Sequence, residues 1–131
     1  MISGGNPVGG SFGGSSSFQT LGDRIYGLNQ GANTGSQNVE TTMFESDTGS
    51  YYSVAKFRFS INSSSSDDIQ LKIYFNNIAV FAEYTTSGTN ESDMFPLELI
   101  IPPFTQVRMT AENKASSSAR EIFTVITGRI Y

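Results

Sequence analysis

The residues best suited to acid–base chemistry in this chain are its paired carboxylates. The pairs are Asp67 with Asp68, Glu45 with Asp47, and Glu91 with Asp93. Two carboxylates about 5–9.5 Å apart across a sugar would define a glycosidase. All three pairs fall in segments predicted to be loops, nothing in the sequence brings two pairs together, and the chain has no Trp to stack against a sugar. The pairs therefore indicate solvated loop charges, and we expect that the chain is not an enzyme.

The residue types that are missing narrow the chemistry further. The chain has no His and no Cys, which excludes Ser-His-Asp arrangements, thiolate nucleophiles and zinc–thiolate sites. Oxygen ligands for Ca²⁺ are present at residues 66–68 and 91–93, although neither segment has the spaced Asp, Gly and Glu of a dedicated calcium loop. We expect no cofactor and no dedicated metal site, with a loop-bound calcium ion as the alternative.

Charge and hydropathy limit the classes of partner. The 131 residues include 8 Lys or Arg and 12 Asp or Glu, which gives a net charge of −4, and the basic residues are scattered. Phosphate recognition draws on clustered Lys and Arg, so we expect no nucleic-acid partner. No apolar run approaches the ~18 residues that span a bilayer, and the first residues lack the basic and apolar regions of a secretion signal. We therefore expect no membrane partner.

Alternation of apolar and polar residues predicts β-strands after residue 37. The period is two in segments 57–61, 69–75 and 107–111, as in strands that bury one face. Asn76 and Asn77 predict a tight hairpin turn, because Asn tolerates left-handed backbone conformations. Further strands are predicted at 39–44, 78–84, 95–101 and 121–131. The predicted core contains Phe57, Phe59, Leu71, Ile73, Val107, Met109 and one face of residues 122–130. This pattern predicts an all-β fold, an antiparallel β-sandwich of the jelly-roll type.

The first 36 residues predict an extended N-terminal arm. They are rich in Gly, Ser and Asn, and their only charges are Asp23 and Arg24, which cancel. Such a segment cannot bury enough apolar surface to form a core alone. A flexible linker is one interpretation, and the isolated apolar residues between the glycines favour an arm that lies along another chain. The predicted anchors are Phe12, Phe18, Leu21, Ile25, Tyr26 and Leu28. The sequence thus predicts an arm at 1–36 and a sandwich at 37–131.

The C-terminal part of the chain resembles a known group of proteins. Residues 99–113 read Leu-Ile-Ile-Pro-Pro-Phe-Thr-Gln-Val-Arg-Met-Thr-Ala-Glu-Asn, and residues 125–131 read Val-Ile-Thr-Gly-Arg-Ile-Tyr. With the layout of arm then sandwich, residues 95–131 resemble small virion proteins of marine tailed phages, which are jelly-roll-like decoration (capsid cement) proteins or related accessory proteins. The resemblance implies a protein that binds the outside of a head shell, contacts the major capsid protein and is commonly a trimer. It carries over no functional residues.

Three classes of function follow from these arguments. The first is a decoration protein on the capsid surface of a virion, synthesised in the host cytoplasm, whose affinity gains from multivalent binding to a repeated lattice. The alternative is a glycan- or receptor-binding module of a virion fibre or tail, which would use loop tyrosines such as Tyr51 and Tyr52. The same tyrosines also fit strand edges that cover a core. A small enzyme is the third class.

Overall fold

A computed structural model describes residues 17–62, 68–85 and 97–131 of the chain. These residues form nine β-strands, and none of the described segments forms a helix long and apolar enough to cross a membrane. The strands are β1 (Gln19–Leu21), β2 (Arg24–Asn33), β3 (Thr41–Asp47), β4 (Ser53–Asn62), β5 (Ile69–Phe75), β6 (Ile78–Thr85), β7 (Leu97–Ile101), β8 (Gln106–Asn113) and β9 (Glu121–Ile130).

The strand pairing is that of one long antiparallel hairpin that has been rolled up. β5 pairs with β6, β4 with β7, β3 with β8 and β2 with β9, so the chain runs out along one arm of the hairpin and returns along the other. Additional pairing of β9 with β4 and of β8 with β5 closes the roll. The result is a five-stranded sheet of order β1-β2-β9-β4-β7 and a four-stranded sheet of order β3-β8-β5-β6. Eight strands in two sheets with this order form a jelly roll, which confirms the predicted fold class.

The tip of the hairpin is the predicted Asn-Asn turn. Asn76 and Asn77 both have positive φ angles, 52° and 67°, as the two central residues of a type I′ turn require. The turn is tied to the start of β8, because the Asn76 amide donates to the Gln106 carbonyl at 2.9 Å and the Gln106 amide donates to the Asn76 side-chain oxygen at 2.8 Å. The hairpin prediction is confirmed.

The core lies between the inner faces of the two sheets and matches the predicted set. Phe57, Phe59 and Ile126 come from the five-stranded sheet, while Leu71 and Met109 come from the four-stranded sheet, and all five are buried. Burial of each such side chain contributes about 1.5–3 kcal/mol before the cost of ordering the chain. The remaining predicted core residues, Ile73, Val107 and Ile122, are buried as well.

The predicted boundary between arm and sandwich at residue 36 differs from the structure. β2 lies inside the five-stranded sheet, between β1 and β9, and Ile25 is 0% exposed. Hydropathy failed to indicate this strand, because the next inward positions are Gly27 and Asn29 rather than large apolar residues. A Cβ on Gly27 would lie 2.9 Å from the ring of Phe44, so the neighbouring aromatic occupies the space that a larger side chain would take.

The third strand also extends beyond its predicted end. β3 continues to Asp47, which places Glu45 and Asp47 on a strand rather than in the predicted loop. A register shift between Thr42 and Phe44 lets the consecutive residues Met43 and Phe44 both point into the core. This irregularity interrupts the two-residue period from which the strand was predicted.

Candidate functional site

Most strands begin or finish at one end of the sandwich. β3, β5, β7 and β9 finish there, and β4, β6 and β8 begin there, so the connections 48–52, 76–77 and 102–105 lie side by side with Tyr131. We call these three connections and Tyr131 the loop end. The structure describes every residue of it.

The loop end is held by hydrogen bonds between two of its connections. The Thr48 amide donates to the Thr105 carbonyl at 2.9 Å, and the Thr105 amide donates back to the Thr48 hydroxyl oxygen at 2.9 Å. That hydroxyl donates to the Pro102 carbonyl at 3.2 Å, and the Phe104 amide donates to the Gly49 carbonyl at 2.8 Å. Thr48 and Thr105 are buried, so their bonds are shielded from competing water. These contacts fix the two connections relative to each other.

Phe104 is displayed at the tip of this arrangement in a costly conformation. Its φ is 53°, in the left-handed region that glycine and asparagine usually occupy, and such a conformation costs a residue of this size about 1–3 kcal/mol. Its side chain is nevertheless 73% exposed and so gains little from the core of its own chain. Sequence reasoning missed Phe104. The available signal was the Pro102-Pro103 bend, which fixes the turn before it.

Large apolar side chains are concentrated around this end. Those exposed there are Leu21, Tyr52, Ile78, Ile100, Phe104 and Tyr131. The rings of Tyr52 and Tyr131 are stacked, with centroids 5.4 Å apart, and the Tyr131 amide donates to the Tyr52 carbonyl at 2.9 Å. Residues 48–52, 76–77 and 102–105 contain no charged side chain. Aromatic enrichment with charge depletion is typical of the central part of a protein–protein interface.

An open groove of about 490 Å³ runs from Tyr131 along the outer face of the five-stranded sheet. Its charged side chains include Arg24, Lys56, Glu98 and Arg129. Arg129 pairs with Asp23 at 3.0 Å. The guanidinium of Arg129 also lies 5.6 Å from the centre of the Tyr131 ring. These groups are exposed and therefore stabilise the fold little, but they present cationic, anionic and aromatic groups to a ligand in one place.

Gly128 shapes the floor of the groove. A Cβ at this position would lie 2.5 Å from the carbonyl oxygen of Val54 and 2.7 Å from the Cα of Ala55. Both contacts are to the backbone of the neighbouring strand β4, which cannot give way as a flexible side chain can. Only glycine therefore allows β9 and β4 to approach this closely.

A second polar cluster lies on the outer face of the four-stranded sheet. Glu40 accepts hydrogen bonds from the hydroxyls of Tyr74 at 2.6 Å and Thr110 at 2.5 Å. Burial raises the pKa of the Glu40 carboxyl. The hydrogen bonds from Thr110 and Tyr74 and the charges of Lys72 and Arg108 together outweigh this effect, so its pKa lies below the usual value. The bond to Glu40 is the main cause that raises the pKa of Tyr74, over whose ring Arg108 lies at 4.2 Å. The cluster fastens the connection between β2 and β3 to the sheet.

Two of the predicted arm anchors are used within the chain itself. Ile25 is in the core, and Phe18 packs its ring edge-on against Phe44, with centroids 5.0 Å apart. The Phe18 amide donates to the hydroxyl of Ser46 at 3.0 Å. The structure thus differs from the prediction that Ile25 anchors a partner, since no surface of its side chain is left exposed.

Three of the other four predicted anchors are exposed, and the fourth is not described. Leu21, Tyr26 and Leu28 are exposed on β1 and β2 and stay candidates for contact with a partner. Phe12 lies outside the described residues. The structure therefore does not bring the six residues together as one set.

The predicted carboxylate pairs do not assemble into a catalytic or metal site in the described part of the chain. Glu45 accepts a hydrogen bond from the Gln106 side chain at 2.8 Å, and Asp68 accepts one from the Tyr84 hydroxyl at 3.3 Å. The partners Asp67, Glu91 and Asp93 lie outside the described residues, as do most of the predicted calcium ligands. Among residues 17–62, 68–85 and 97–131, no three acidic groups are close enough to hold a metal ion.

Comparison with known proteins relates the fold to that of a viral capsid protein. No protein-family model and no curated protein matches the sequence. Among solved structures, the chain is similar to the infectious bursal disease virus VP2 subviral particle, with a TM-score of 0.53, 14% identity, and coverage of 82% of this chain and 33% of that chain. It is also similar to the Gx strain of the same virus, with a TM-score of 0.55, 14% identity, and coverage of 82% and 32%.

These matches define the class of fold. The chain spans about a third of the length of the capsid proteins that it matches, and each match covers 82% of this chain. At this level of identity the likeness is one of architecture, which is the jelly roll that the strand order also defines.

Proposed function

We propose that this chain is a structural protein of a virion, a decoration (cement) protein that binds and stabilises a capsid. The observation that carries the proposal is the jelly roll itself, which matches a module of a viral capsid protein over 82% of this chain. The described surface supports a binding role, because its most distinctive features are an uncharged, apolar loop end and an open groove.

The sequence supports a more specific host particle, partner and oligomeric state. The resemblance of residues 95–131 to virion proteins of marine tailed phages supports a tailed-phage head as the site of binding, with the major capsid protein as partner and a homotrimer as the bound form. The exposed anchors Leu21, Tyr26 and Leu28, together with Phe12, would supply contacts from the N-terminal region. Affinity would come from many weak contacts repeated over the lattice.

Rebinding to shells from which the protein has been removed tests this proposal. Purified protein is mixed with stripped empty heads, sedimented, and quantified in the pellet, while the heat resistance of the decorated heads is compared with that of stripped heads. We expect saturable binding at a fixed ratio to the capsid subunits and a higher temperature of head disruption. Absence of the protein from purified virions, or lack of saturation, would contradict the proposal.

The groove supports a second candidate function, a glycan- or receptor-binding module of a virion fibre or tail. Arg129, Lys56 and Glu98 present hydrogen-bonding groups beside the rings of Tyr26 and Tyr131, an arrangement that suits a polar ligand with one apolar face. Screening the protein on a glycan array, with Lys56→Ala as the comparison, tests this candidate. Binding that is lost in Lys56→Ala would favour it over the capsid role.

A further inference from the structure

We propose that Phe104 is the anchor residue with which this chain binds an apolar pocket on a capsid protein. The inference rests on the proposed virion role and names the contact that would serve it. It follows from three observations at the loop end, which concern the backbone of Phe104, the rigidity around it and the chemistry of its surroundings.

The first observation is that the fold holds a phenylalanine where the backbone favours glycine. The φ of Phe104 is 53° and its side chain is 73% exposed. A glycine or asparagine would adopt this backbone with less strain, and the chain gains little from an exposed ring in water. The isolated chain gains little that would offset the cost of this backbone conformation. A contact with a partner would offset it.

The second observation is that the ring is presented on a fixed support. The Phe104 amide is bonded to the Gly49 carbonyl, and the adjacent Thr105 exchanges two hydrogen bonds with Thr48. Pro102 and Pro103 restrict the backbone immediately before the ring. A side chain held in this way loses little conformational freedom on binding, which is the property of an interface hot spot.

The third observation identifies the chemistry of the partner. The connections around Phe104 carry no charge, so they offer nothing to a phosphate backbone. The amides of Thr48, Phe104 and Thr105 are already bonded within the chain, so the backbone beside the ring does not offer these donors to a polar ligand. The charged groups nearest the loop end are of both signs, since Glu45 and Asp47 precede the connection 48–52 and Arg129 lies beside the ring of Tyr131. They therefore do not form the cationic patch that binds an anionic membrane surface. An apolar pocket in a protein is the partner that fits.

Binding of variants to stripped empty heads tests the anchor. Phe104→Gly removes the ring and suits the backbone, and Phe104→Asn removes it with a second residue that tolerates positive φ. Val39→Ala is the matched control, because Val39 is 50% exposed and lies at the opposite end of the sandwich. We expect both Phe104 variants to bind about 30-fold or more weakly, the loss typical of a hot spot. We expect Val39→Ala to bind within about twofold of the unmodified chain. No variant should melt more than about 3 °C below the unmodified chain, and relief of the backbone strain should raise the melting temperature of the Phe104 variants.

The outcomes separate this inference from the proposal on which it rests. If the unmodified chain fails to bind heads, the virion role is wrong and the anchor falls with it. If the unmodified chain binds and Phe104→Gly binds equally well, the virion role stands and the anchor is wrong. Phe104-dependent binding to vesicles of phosphatidylcholine and phosphatidylserine would overturn the protein partner in favour of a membrane. A homo-oligomer that dissociates in Phe104→Gly, with binding to heads unchanged, would place the pocket on a second copy and also overturn the proposal.

Discussion

Two N-terminal truncations distinguish the part of the predicted arm that completes the sandwich from the part that precedes it. One variant lacks residues 1–16, and the other lacks residues 1–36 and therefore loses β1 and β2. We expect the first to fold, because residues 1–16 offer few large apolar side chains. We expect the second to fail to fold, because β2 is an internal strand of the five-stranded sheet.

The size of the second effect follows from what β2 covers. Ile25 is completely buried, and the loss of such a side chain from a core costs about 2–5 kcal/mol. Phe44 lies against Gly27, and its exposure would cost a further ~1.5–3 kcal/mol. Together these losses of about 4–8 kcal/mol approach the ~5–15 kcal/mol that stabilise a typical domain. Removal of β2 would also turn β9 into an edge strand that is paired only with β4, and an exposed edge promotes aggregation.

Circular dichroism and thermal unfolding measure both effects. The variant lacking residues 1–16 should unfold cooperatively within a few degrees of the full chain. The variant lacking residues 1–36 should show no cooperative transition, and Ile25→Ala in the full chain should lower the melting temperature by roughly 10–20 °C. Cooperative unfolding of the longer truncation at the temperature of the full chain would refute the assignment of β2 to the sandwich.

Two further predictions concern the strand contact under the groove and the cluster on the opposite sheet. Gly128→Ala should destabilise the fold by about 1–3 kcal/mol because its Cβ would meet the backbone of Val54. Thr127→Ala on the same strand is the control, and equal chemical denaturation of the two variants would contradict the close approach. Because the folded pKa of Glu40 is lowered, its contribution to stability is complete above the pKa of an unfolded Glu, about 4.3. This contribution is lost as the pH falls further, and the raised pKa of Tyr74 causes a second loss above about pH 10. Melting temperatures measured from pH 3 to 11 should show both declines, and Glu40→Gln should flatten the acidic one. An unchanged acidic decline in that variant would assign it to other carboxylates.

The parts of the fold that the sequence predicted are those where one residue type decides the local conformation. Alternation fixed β5 because every inward position from Ile69 to Ile73 is a large aliphatic residue. The Asn76-Asn77 turn was predictable because few residues other than glycine adopt two consecutive positive φ angles at low cost. In both cases the local preference and the tertiary environment require the same structure.

The parts that were missed depend on neighbours that are distant in sequence. β2 has glycine at the inward position 27 because Phe44 fills the space beside it, while Asn29 at the next inward position donates a side-chain hydrogen bond to the Met43 carbonyl. No local pattern contains that information. The conformation of Phe104 also depends on residues distant in sequence. Its amide is bonded to the Gly49 carbonyl, and the adjacent Thr105 is bonded to Thr48. The Pro102-Pro103 sequence predicts a bend but does not predict these hydrogen bonds. The groove likewise unites β2, β4, β7 and β9, which come from four separate parts of the chain.

The two candidate binding regions share one residue, and this connection bears on how the molecule would work. Tyr131 stacks on Tyr52 at the loop end and also lines the groove, where Arg129 lies over its ring. Arg129 is in turn paired with Asp23, whose carbonyl accepts a hydrogen bond from the Ile130 amide at 2.7 Å. Tyr52 stands on the same connection as Gly49, which accepts the Phe104 amide, and its ring stacks on the ring that a ligand in the groove would contact. Tyr131 is thus the residue at which the loop end and the groove meet, and its backbone is fixed by the bond from its own amide to the Tyr52 carbonyl and by the bond from the Ile130 amide to the Asp23 carbonyl.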